Sequence, residues 1–107
     1  MIRDSDRQVV ERLKRSFIMH GVPLDQTIVF GSRARGDADP DSDLDVLVLV
    51  KYVDPATRTT VSHCAWEVGF ETGLLIQTVV MTREEAEDSP EQSSLLMLAV
   101  KAEGIPV

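Results

Sequence analysis

Cysteine is nearly missing from this chain. Cys64 is the one thiol in 107 residues, so no internal disulfide can form, and that usage fits a reducing compartment, with a cytoplasmic location expected. Positive charge is also scarce. There are 11 Lys+Arg against 18 Asp+Glu, a formal net charge of −7 and a pI of about 4.7. Proteins that grip nucleic acid unaided carry a basic footprint, so direct nucleic-acid binding is disfavoured. No apolar run approaches the ~20 residues of a membrane span, and the charged stretch Met1 to Asp6 does not read as a signal peptide, so no membrane association is expected. Repeats, low-complexity tracts and linkers are missing too, which predicts one domain over residues 1–107. Apolar residues make up 43%, enough for a core and too many for a disordered chain.

The elements read in order from periodicity and punctuation. Asp4 to His20 is a helix, with Val9, Val10, Leu13 and Phe17 on one face, a cap at Asp4 or Ser5, and Gly21 and Pro23 as its stop. Thr27 to Phe30 is a short strand, and Asp43 to Lys51 a second. Leu47 and Leu49 share a face with Asp43 and Asp45, while Leu44, Val46, Val48 and Val50 line the other. With both faces apolar, this strand is central. Asp54-Pro55 starts a helix that Gly73 ends. Leu74 to Met81 is a third strand. Thr82 to Glu85 and Ser89 to Gln92 are capping boxes for two further helices, and Gly104 and Pro106 close the last one. The order α-β-β-α-β-α-α predicts an α/β (α+β) fold: a small mixed sheet of about three strands with helices packed against it in two layers.

The stretch from Phe30 to Val46 holds the chemistry. A strand runs into Gly31-Ser32, a polar loop follows, and Asp43 and Asp45 open the most hydrophobic run in the sequence. Carboxylates at i and i+2 of a strand point to one face. Two such hard anionic ligands suit Mg²⁺ (or Mn²⁺), which is usually held by one or two carboxylates plus waters and substrate phosphates. Gly31 lets the backbone turn and approach a ligand closely. Should a short helix begin at Ser32, its free N–H groups would face phosphate, and Arg33 and Arg35 could add charge-assisted contacts. Either arginine could equally pair with Asp37 or Asp39. Asp37, Asp39 and Asp41 read as turn residues.

Gly31-Ser32, ten residues, then Asp43-Leu44-Asp45 resembles the signature of the nucleotidyltransferase superfamily related to DNA polymerase beta. The fuller pattern, Gly-Ser-x-Ala-Arg-Gly with Ser-Asp-x-Asp, is similar to its minimal bacterial and archaeal members, of the MNT (MntA-like) antitoxin type. The resemblance covers about a fifth of the chain closely and implies a short mixed sheet with helices on one side. It further implies that Ser32 contacts nucleotide phosphates, that Asp43 and Asp45 bind magnesium, and that an NTP, with ATP favoured, is substrate. Minimal members are commonly paired with a helical HEPN-type protein, which some of them adenylylate. Such a partner is implied here, while a homo-oligomer is left open.

The family pattern has a third carboxylate on a later strand, and Gln77 stands where that acid is expected. Two readings follow. One is an active transferase moving an NMP to an acceptor hydroxyl. The other is a weak or inactive homologue that binds nucleotide and neutralises a partner by contact. A parallel β-α-β path through the helix at Pro55 predicts Gln77 beside the two aspartates. His20 reads as a helix-end residue and Cys64 as a small core residue. His63 and Cys64 form no metal pattern, and Glu67 and Glu71 read as solvent-facing. Trp66, off the main apolar stripe, is either a second core contact or part of a partner surface.

Overall fold

The computed structural model describes residues 2–88 and 95–107. The second capping box, Ser89 to Gln92, lies outside the described residues. Helix α1 spans Asp4–Met19, and its apolar stripe buries Val10, Leu13 and Phe17. Its N-cap is Arg3, without a side-chain bond. Asp4 and Ser5, the expected caps, are already helical, and Asp4 and Asp6 instead place carboxylates in the first turn, where the dipole favours them.

Four strands follow: β1 Leu24–Phe30, β2 Leu44–Val50, β3 Ile76–Thr82 and β4 Ile105–Pro106. Between them run α2 Ser32–Arg35, α3 Pro55–Thr72, α4 Arg83–Asp88 and α5 Leu95–Glu103. The caps of α3 and α4 form as the sequence predicts. Asp54 accepts from the Thr57 amide at 2.7 Å with Pro55 behind it, and Gly73 takes the left-handed conformation at the end. Thr82 and Glu85 exchange backbone-to-side-chain bonds of 3.1 Å in both directions.

The sheet order is β3-β2-β1-β4, so β2, which holds Asp45 and begins one residue after Asp43, is flanked by the other two predicted strands as expected. β2 pairs antiparallel with β1 and parallel with β3. The fourth strand was not anticipated. Ile105 and Pro106 do not merely close α5; they pair with Val29 and Ile28, and Val107 adds bonds to Thr27 at 3.0 and 2.8 Å. A two-residue strand carries no periodicity of its own, and its partner is some 80 residues away.

The layering also differs from expectation. Leu44, Val46, Val48 and Val50 join the α1 and α3 stripes in one core. Leu47 and Leu49 face the other way and bury against Met81, Ala86, Met97 and Val100 of β3, α4 and α5. Helices therefore cover both faces, because strict alternation along β2 presents apolar side chains to both. Each such fully buried side chain stabilises the fold by roughly 1.5–3 kcal/mol. Cys64 is fully buried in the first core. Trp66 is 67% exposed and is no core contact.

Candidate active site

Three strand ends converge at one end of the sheet. β1 delivers Phe30 opposite Asp45, and the parallel register sets Gln77 beside Asp45. Asp43 sits one residue before β2 begins. Gln77 Nε2 donates to Asp43 Oδ2 at 3.4 Å, so Gln77 borders the two acids as the β-α-β path predicts. All of this lies on the sheet face that α5 covers.

Gly31 is required by its neighbour. Its φ is +79°, and a Cβ there would lie 2.4 Å from Asp45 Oδ2. Glycine thus lets the turn into α2 close against the Asp45 carboxylate. That carboxyl is held above the ordinary aspartate range, first by burial, then by the charges of Asp43 and Glu103. A half-buried acid under like-charge pressure is a site that gains from a cation. The donor set fits Mg²⁺ or Mn²⁺, which need only one or two carboxylates when phosphates complete the shell. Among the described residues, no group of three or more His, Cys, Asp or Glu is placed to hold one ion.

The two arginines part company. Arg33, expected among the nucleotide contacts, is buried and turned inward. Its Nη1 donates to Asp6 Oδ1 at 2.9 Å, its Nε to the Ser42 carbonyl at 2.9 Å, and its Nη2 to the Pro40 carbonyl at 3.3 Å. It fastens the loop that carries Asp43 onto α1, and a guanidinium engaged this way is not offered to a ligand. Arg35 stays at the surface, donating from Nε to Asp37 at 3.2 Å and from Nη1 to Glu103 Oε2 at 2.8 Å. Asp39 acts as a turn residue, with its Oδ1 accepting from the Asp41 amide at 2.9 Å.

Two residues at the site were not singled out from the sequence. Asp6 had a signal, since it extends the stripe of Val10, Leu13 and Phe17 one turn toward the helix start. Glu103 had none, because only the pairing of β4 with β1 brings it back to Gly31, whose amide donates to Glu103 Oε1 at 3.1 Å. Beyond Gln77, Trp66 and Phe70 stack at the surface with centroids 5.6 Å apart. With Leu75 and Gln77 they line a groove of about 490 Å³.

Comparison with known proteins agrees with this fold. The family model for the nucleotidyltransferase domain matches residues 7–100. A bifunctional uridylyltransferase/uridylyl-removing enzyme of Burkholderia lata is 38% identical over 92 residues, 80% of this chain and 11% of the relative. The chain thus spans about a tenth of the length of the curated relatives it matches first. A solved structure described as a minimal nucleotidyltransferase superposes with a TM-score of 0.61 at 27% identity, covering 100% of this chain and 97% of that one. A complex of the tri-AMPylated HEPN toxin of Shewanella oneidensis with its MNT antitoxin contains a chain that matches with a TM-score of 0.55 at 16% identity, covering 95% of this chain and 67% of that one. With the signature at Gly31-Ser32 and Asp43-Leu44-Asp45 set on converging strand ends, the chain belongs to the nucleotidyltransferase domain family.

Proposed function

We propose that this domain transfers a nucleoside monophosphate, AMP from ATP, to a hydroxyl on a helical HEPN-type partner, as the antitoxin of a toxin–antitoxin pair. The observation that carries the reading is the convergence of Asp43 and Asp45 beside the Gly31-Ser32 turn. In the reaction, the acceptor hydroxyl oxygen bonds to the α-phosphorus as its proton passes to solvent water, the bond to the bridging oxygen breaks, and pyrophosphate leaves with that electron pair. Asp43 and Asp45 would hold Mg²⁺, which when bound neutralises charge on the reacting phosphates. The chain's own share is positioning: Gly31 and Ser32 seat the phosphates and Arg35 adds a charge at the rim. The toxin in the Shewanella complex carries AMP, whereas the Burkholderia relative is named for uridylyl transfer. Labelled ATP and UTP should therefore be offered in parallel, with Mg²⁺ and a HEPN-type partner. Label from ATP appearing on the partner supports the reading, and label on neither partner nor small acceptors counts against it.

Gln77 favours a second reading, in which the domain neutralises its partner by contact. It carries no charge where the family pattern places an acid, and it spends its amide on Asp43. The two readings separate on Gln77→Asp. If the missing acid limits the chemistry, the variant should bind Mn²⁺ more tightly and transfer AMP at least about tenfold faster than wild type, a modest gain for an added metal ligand. Strong wild-type transfer without any gain would show that Gln77 does not limit it. Inhibition of the partner by wild type with no transfer in either protein would favour neutralisation by contact.

A further inference from the structure

The Glu103 side chain occupies the donors that the proposed nucleotide would use. Its Oε1 accepts from the Gly31 amide at 3.1 Å and its Oε2 from Arg35 Nη1 at 2.8 Å. One carboxylate thus bridges a backbone N–H and a guanidinium, as a phosphate oxygen pair would. It does so beside Asp45, whose carboxyl feels its charge. A third anion next to Asp43 and Asp45 gains nothing from those neighbours, so its position rests on the two donors. It is brought there by the end of α5, fixed in turn by β4 on β1. The close seat of Gly104, where a Cβ would lie 2.8 Å from Ile28 Cγ2, fixes that turn further.

We infer that Glu103 is an internal competitor for the triphosphate: nucleotide binds by displacing its carboxylate from Gly31 and Arg35. The inference rests on the reading of Gly31 and Arg35 as nucleotide contacts. Glu103 is then a gate on affinity, and α5 with β4 loses its tie to Gly31 and Arg35 when nucleotide binds. The other role open to a nearby acid is that of third metal ligand, which the same experiment separates.

The test compares wild type with Glu103→Gln, which keeps the shape and removes the charge. Binding of a non-hydrolysable ATP analogue with Mn²⁺ should tighten about tenfold in the variant, the order expected when one charge-assisted contact no longer has to be broken. Mn²⁺ alone should bind both proteins within about threefold, the difference one nearby surface charge makes. Nucleotide binding by wild type with no gain in the variant overturns the competition alone. A large loss of Mn²⁺ affinity in the variant makes Glu103 a ligand and also overturns it. No nucleotide binding by either protein removes the reading of Gly31 and Arg35, and the competition with it. Wild type supplies a check that needs no variant. Amide hydrogen exchange across residues 95–107 should speed up when the analogue and Mg²⁺ are added, and slower exchange there would overturn the displacement.

Discussion

Asp45→Asn is expected to fold more stably than wild type in the absence of metal and to lose both metal binding and transfer. The two effects have one cause. In the folded chain the Asp45 carboxyl is held above its ordinary range by burial and by Asp43 and Glu103. Between the unfolded and folded values, the native state binds more protons than the unfolded one. Stability therefore falls as pH rises through that interval, and the full penalty is present above it. Asparagine removes the penalty. With EDTA present, the variant should melt above wild type at neutral pH, and the gap should shrink as pH is lowered toward about 4, the ordinary aspartate range. With Mn²⁺ and an ATP analogue the order reverses, because wild type gains binding energy that the variant lacks. If Asp45 is the metal ligand proposed above, its loss should lower transfer by at least about a hundredfold, since even outer-shell changes cost 10–100-fold. A variant that melts below wild type in EDTA, or that keeps wild-type Mn²⁺ affinity, would contradict this account.

Removal of Asp6 should be the most damaging single change away from the acids. The Arg33–Asp6 pair is closed to solvent, with side chains 5% and 4% exposed. Asp6→Ala leaves a buried guanidinium without its counter-charge, a loss of about 3–5 kcal/mol. That is a large part of the 5–15 kcal/mol typical of a domain, and at about 4–8 °C per kcal/mol it lowers the melting temperature by roughly 12–40 °C. The double variant Asp6→Leu/Arg33→Met should recover most of that stability, because apolar replacement of a buried pair is often neutral or better. It should not recover Mn²⁺ affinity. Arg33 also holds the Ser42 and Pro40 carbonyls, and without it the loop before Asp43 loses its tie to α1. Melting curves and Mn²⁺ titrations on the three proteins separate the two roles. A double variant with wild-type Mn²⁺ affinity would show that Arg33 does not position Asp43.

What the sequence disclosed here was local or regular. The i, i+2 spacing of Asp43 and Asp45, the turn at Gly31 and the caps at Asp54 and Thr82 depend on a few neighbouring residues. The position of Gln77 follows from one handedness rule applied to β2, α3 and β3. The misses depend on distant pairing or on burial of charge. β4 is two residues long and exists only because β1 offers an edge. Glu103 arrives at the site with it, across 72 residues. Leu47 and Leu49 make the second face of β2 apolar, but that α4 and α5 are what cover it depends on where the chain returns after β3. By charge and position Arg33 reads as a phosphate contact or as a partner of Asp37 or Asp39. Its true partner, Asp6, sat on an apolar stripe, where an acid asks for a buried cation.

The strand directions described above also divide the domain into a working end and an idle one. The candidate site residues gather where β1 ends and β2 and β3 begin. The opposite end lies about 20 Å away, the six rises of roughly 3.3 Å that separate the first and last of the 7 residues of β2. It carries the turns at Gly21 and at Lys51 to Asp54, tied by the Lys51 amide on the Pro23 carbonyl at 2.9 Å. Tyr52 there is 58% exposed, and exposed loop tips are where foreign sequence is best tolerated. A short flexible insert after Tyr52 should leave Mn²⁺ affinity unchanged, and a clear drop would tie the two ends together. The fold can thus be spliced into larger proteins from behind, as a cassette whose sockets face away from its contacts.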